Sequence, residues 1–162
     1  MRYVDVLSLL GALVLTAVTL GAHQDHASAH NRGGSVMGFD QNRTAHHFSL
    51  FTDGGAIEVD VKDPADTINR DAIRSHLPHI ATMFASGNFD APMLVHDSNN
   101  VPGTKMMARL KDRIRYTYSE APAGGRVNIV TSDHEALEAV HQFLKFQIAE
   151  HKTGDSMAVQ SR

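Results

Sequence analysis

One pattern occurs twice and restricts the folds open to this chain. Residues 46–52 and 56–62 each alternate between apolar and polar side chains, and Gly54-Gly55 lies between them. Residues 113–119 and 126–131 repeat the arrangement around Gly124-Gly125. A period of two sends successive side chains to opposite faces, so each segment reads as a strand with one wet face. The short Gly-containing connections read as turns that make each pair a hairpin. A helix signal follows each hairpin. Asp63-Pro64 supplies a cap and a first helical residue, and Ile73, Leu77, Ile80 and Phe84 recur at helical spacing. Ser132 and Glu135 form a capping-box pattern, and Leu137, Val140, Leu144 and Ile148 continue the stripe to His151. A ββα unit alone cannot bury its apolar face, whereas two can share a core. The expected class is therefore α+β: an antiparallel sheet of about four strands with two helices on one face, suggestive of a ββα duplication.

Several local features refine this outline. Pro78 inside the first stripe predicts a kink or break near residues 74–77, and Gly87 ends that helix. Residues 88–104 read as a long irregular connection carrying Met93 and His96, and residues 105–111 as a helical turn. Alternation sends His46, Phe48 and Leu50 toward the core and His47, Ser49 and Phe51 to the other face. On the second helix His141 and His151 share the inward stripe. Phe143 and Phe146 fall off it, which marks a flank where a homodimer would form.

The N-terminus reads as an address. Residues 6–22 are apolar, Arg2 precedes them, and Ala27-Ser28-Ala29 offers a small-x-small cleavage site. Residues 1–29 are thus expected to be a signal peptide, giving a secreted or periplasmic protein. The alternative is an uncleaved membrane anchor, although the run is shorter than the ~20 residues a span needs. Residues 30–45 read as a flexible arm, 46–155 as a single α+β domain, and 156–162 as a frayed tail.

Composition narrows the chemistry. The net charge of −3 gives no basic patch for nucleic acid. The absence of cysteine excludes disulfides, thiolate metal sites and cysteine nucleophiles. No phosphate loop, dinucleotide fingerprint or nucleophile elbow is present. What stands out is 11 His and 7 Met. Imidazole suits copper and zinc, and thioether suits Cu(I). The first reading is therefore a binding protein that holds copper or zinc through His47, His76 and His96, with Met37 and Met93 as soft partners. The second is a non-catalytic module that binds a partner protein or small ligand. The third is a small hydrolase with one inward His as general base, for which no orienting carboxylate can be paired from sequence.

Five blocks of sequence carry a resemblance. They are Met37-Gly-Phe-Asp-Gln41, Thr44-x-His46-His47-Phe48, Gly54-Gly55-x-Ile57-x-Val59, Ile73-Arg74-x-His76-Leu77, and Phe143-Leu144-x-Phe146-Gln147-Ile148-x-x-His151-x-Thr153-Gly154-Asp155. Over residues 37–155 the chain resembles a set of small secreted bacterial proteins of unassigned function. Some of these carry the label aspartate carbamoyltransferase. This chain lacks the Ser-Thr-Arg-Thr phosphate-binding motif of that enzyme and is about half the length its catalytic chain needs. The resemblance implies a secreted single domain and supplies no chemistry.

Overall fold

The computed structural model describes residues 37–162; the expected signal peptide and the first part of the arm lie outside them. The class is α+β. Strands β1 (Thr44–Phe51), β2 (Gly54–Val61), β3 (Arg115–Ala121) and β4 (Gly124–Val130) form one antiparallel sheet in the order β1-β2-β4-β3. The two hairpins meet through β2 and β4. Helix α1 (Thr67–Ala85) packs on β3 and β4, and the last helix, α4 (His134–His151), packs on β1 and β2. Each helix thus covers the hairpin of the other half, which merges the two units into one core. Between them lie α2 (Asp90–His96) and α3 (Thr104–Arg109). Among the described residues no helix is long and apolar enough to cross a membrane.

The glycine pairs do different work from that expected. The hairpin tips are Thr52-Asp53 and Pro122-Ala123, and the glycines lie within β2 and β4. A Cβ on Gly54 would sit 2.0 Å from the Ile129 carbonyl oxygen, and one on Gly124 would sit 1.9 Å from that of Val59. Both are needed where the central strands approach each other. Gly55 and Gly125 lie under Leu144 of α4 and Leu77 of α1 respectively. Matching demands at matching positions support the duplicated ββα plan.

Four local expectations are corrected. The first helix is capped by Asp66, which accepts from Asn69 N–H, rather than by Asp63. The last is capped by Asp133, which accepts from Ala136 N–H, rather than by Ser132. Helix α1 runs unbroken through Pro78. Proline costs a helix ~3 kcal/mol, whereas burying Ile73, Leu77, Ile80 and Phe84 returns about 1.5–3 kcal/mol each, so the buried stripe decides. Residues 90–96, expected to be irregular, form α2. Its Pro92 sits in the first turn, where a missing N–H is tolerated, and Asp97 ends it in the left-handed region at φ 48°.

Both ends of the domain are tied down. Phe39 is 4% exposed. Asp40 N–H donates to Asn69 Oδ1 at 2.9 Å and Arg43 pairs with Asp66 at 2.8 Å, so residues 39–43 are fastened to the start of α1. The Asn69 side-chain amide and backbone N–H, together with Arg43, outweigh burial and hold the Asp66 carboxyl below its ordinary range. The tail, expected to fray, follows the free edge of β1. Gln160 pairs in parallel with Phe51, donating to Leu50 O at 2.9 Å and accepting from Thr52 N–H at 3.0 Å. That pairs the last residues of an edge strand, where backbone groups would otherwise stay open.

Candidate functional site

Helices α1 and α4 pack on different halves of the sheet, and a cavity of about 80 Å³ opens between them. Its floor is His46 and Phe48 of β1 with Ile57 and Val59 of β2. One wall is His76, Leu77, Ile80 and Phe84 of α1; the other is Phe143, Gln147 and His151 of α4. Ala91, Pro92, Val95 and His96 of α2 cover it, and Met37 reaches its rim. Among the described residues the lining is mostly apolar, and its titratable side chains are imidazoles.

The cavity arises where the two halves differ. His46 pairs with Val59 across β1–β2, and Tyr116 pairs with Ile129 at the matching place in β3–β4. On the second side Tyr116 is 9% exposed and packs edge-on against Phe84 at 5.9 Å, filling its space. Burial pushes its hydroxyl pKa well up. On the first side the smaller His46 leaves room.

The imidazoles form a chain. His46 and His151 lie nearly parallel with ring centres 5.6 Å apart, and His96 meets His151 edge-on at 5.1 Å. Phe39 lies between His46 and His76, at 6.0 and 5.8 Å. Burial, with the neighbouring His79 as a lesser cause, holds the His76 pKa below its ordinary value and favours the neutral ring. His96 and His151 both direct Nε2 at Gln147 Oε1, each at 3.1 Å. A carbonyl oxygen only accepts, so both rings present Nε2–H to it.

That arrangement leaves the other end of the amide unmatched. Gln147 is 4% exposed, and its Nε2 has no hydrogen-bond partner. A buried donor in this state costs about 1–3 kcal/mol. A polar group left so in a native interior calls for an explanation.

The sequence-derived ligands do not form one group. His76, His96 and Met37 line the cavity. His47 is on the opposite face of the sheet, because successive strand residues alternate. There its Nδ1 meets Asp155 Oδ1 at 3.1 Å. Met93 lies in a separate depression with Asp90 and Asp97. Among the described residues no set of three or more His, Asp or Glu is arranged to hold a metal ion.

Sequence reading left three contributors out of the ligand set: His46 and His151, both read as inward-facing, and Gln147. The available signal was Gln147-x-x-x-His151 at i, i+4 on the buried stripe of α4. His141 is structural, with Nε2 donating to the carbonyls of Phe51 and Gly54 at 2.9 and 3.0 Å, which pins α4 to the first hairpin. Phe143, expected on an outer flank, is 2% exposed and packs against Phe84 and Phe89; Phe146 is half-buried against His96. A homodimer face through Phe143 is thereby corrected, since that ring is spent in the core.

His47 and Asp155 form the orienting pair that sequence could not supply. Burial pulls the Asp155 pKa up, but the donors Thr153, Phe48 N–H and His47 outweigh it and hold it below the ordinary range. The pair lies on an open sheet face with His47 half-exposed.

Comparison of the chain with protein-family models, curated proteins and solved structures gives no match.

Proposed function

We propose that this domain is a binding module of an exported protein and holds a small, mostly apolar molecule between α1 and α4. The observation that carries this reading is an apolar cavity with one unmatched amide donor, Gln147 Nε2, among its walls. Concave apolar sites with a few oriented polar groups are the usual form of small-molecule sites. The imidazole chain adds adaptable donors and acceptors at one end. The test is methyl-observed NMR on the full chain with small molecules such as toluene, hexan-1-ol and hexanoate. Binding in the cavity shifts the methyl resonances of Ile80 and Val95. If none of these probes moves them at millimolar concentration, the reading is wrong.

A copper or zinc site is a second reading. It is favoured by the presence of Met37, His46, His76, His96 and His151 around one cavity. Gln147 Oε1 occupies the point on which Nε2 of His96 and His151 converge, so a metal would have to displace that amide. Titration with Cu(I), Cu(II) and Zn(II) tests it. Micromolar or tighter binding that is lost in His96→Gln and kept in His47→Gln supports a cavity site. Equal binding by all three chains rejects it.

A further inference from the structure

We propose that the cavity takes an uncharged carbonyl compound, a ketone of about five heavy atoms, whose oxygen accepts a hydrogen bond from Gln147 Nε2–H. The proposal rests on the cavity being a binding site and adds the chemistry of its ligand. Gln147 lies on α4 one helical turn from both Phe143 and His151, and is 4% exposed. Its Oε1 stands 3.1 Å from His96 Nε2 and 3.1 Å from His151 Nε2. Its Nε2 has no hydrogen-bond partner.

The two contacts at Oε1 set which way the amide faces. Turning it over would place its N–H groups against two ring N–H groups. One of those rings belongs to α2 and the other to α4, so the amide is fixed between two elements. The result is a donor held at the cavity wall with its partner missing. A buried polar group in that state calls for a partner. An amide nitrogen only donates, so an oxygen acceptor satisfies it and an ammonium does not.

The walls select the rest of the molecule. Phe48, Ile57, Val59, Leu77, Ile80 and Val95 present carbon to the cavity. Alkyl groups gain by leaving water for such walls. These six side chains return none of the hydration that an ion gives up on entering. A ketone combines the two demands. It has one oxygen between two short alkyl arms, and no donor of its own that would need a further partner. The cavity, about 80 Å³, is roughly half the volume of an apolar cavity that admits benzene, so it encloses about three or four heavy atoms. A four-carbon ketone then has most of its length inside and one end at the rim, by Met37.

The probes are butan-2-one, its isostere 2-methylbut-1-ene, in which =CH2 replaces =O, and butan-2-amine, titrated into the full chain at about pH 8, where the amine is a cation. Binding is followed through the methyl resonances of Ile80 and Val95 and the side-chain amide protons of Gln147. Butan-2-one is expected to bind and to move the Gln147 amide protons downfield. The alkene is expected to move the methyls alone, and the amine is expected not to bind. Gln147→Glu keeps an oxygen for the two imidazoles and removes the donor. In that variant the ratio of ketone affinity to alkene affinity should fall about tenfold, in line with what one hydrogen bond to a buried donor contributes. An unchanged ratio, or amide protons that do not respond to butan-2-one, overturns the proposal and leaves the cavity reading standing. So does tighter binding of the amine than of the ketone, because the amide would then present its oxygen to the ligand. If no probe moves the Ile80 and Val95 methyls, both fall. The amide protons are read on the unaltered chain, so the test survives if Gln147→Glu misfolds.

Discussion

Filling the cavity should stabilise the fold and abolish binding together. Ala91 lies on α2, is half-buried, and lines the cavity roof. Ala91→Leu adds three carbons pointing toward a void of about 80 Å³. At ~24 cal/mol per Å³ of enclosed cavity, complete filling sets an upper bound of about 2 kcal/mol. Ordering a leucine side chain takes back about 0.5–1 kcal/mol. The remainder, on the order of 1 kcal/mol, corresponds to a rise in Tm of about 3–5 °C for a domain of this size. The assay is thermal denaturation followed by circular dichroism, with and without saturating butan-2-one. The unaltered chain should gain Tm on adding butan-2-one; Ala91→Leu should start higher and gain nothing. Overpacking would instead cost about 1–3 kcal/mol. The smaller Ala91→Val separates that case, because it should still raise Tm while weakening the butan-2-one shift. A butan-2-one shift of full size in both variants would refute the reasoning, because the ligand would then be bound elsewhere.

Gly55→Ala should destabilise by about 1–3 kcal/mol, since its new Cβ would lie 2.2 Å from Leu144 Cδ1 and 2.5 Å from Ser49 O; guanidinium midpoints read this, and an unchanged midpoint would contradict the close approach of α4 to β2. Phe143→Ala should cost about 3–5 kcal/mol without changing the oligomeric state on size exclusion, because the ring is buried against Phe84 and Phe89. His76 makes stability depend on pH. Its folded pKa lies below the ordinary 6.5, so its contribution is full above that value and is lost as pH falls below it, where the unfolded chain binds the extra proton. Urea midpoints should therefore fall between about pH 7.5 and pH 5.5, and His76→Leu should flatten that slope; an unchanged slope would count against a buried neutral His76.

Strand alternation in residues 46–52, 56–62, 113–119 and 126–131 was enough to read the hairpins and to separate His46 from His47. Local chemistry was a poorer guide at the helix starts. Asp63-Pro64 and Ser132-x-x-Glu135 both look like caps, yet Asp66 and Asp133 win, because the cap is the residue whose carboxylate reaches a free N–H after the helix has docked. Pro78 misled for a related reason. Its penalty is local, whereas the burial that offsets it exists only once the helix has docked. The tail could not be read as a sheet-edge segment, because its pairing with Phe51 depends on β1 being left at the edge.

By itself the sequence determined the α+β class, the two ββα units and their inward faces, because periodicities of 2 and 3.6 are set by backbone geometry within each element. Only the tertiary structure decided that each helix crosses to cover the other hairpin. Only it decided that His46, Gln147 and His151 join His76 and His96 around one cavity while His47 and Met93 face elsewhere. Those groupings depend on contacts between residues as much as 105 positions apart, from His46 to His151. No local pattern encodes which apolar face meets which, since burial is satisfied by total area and shape.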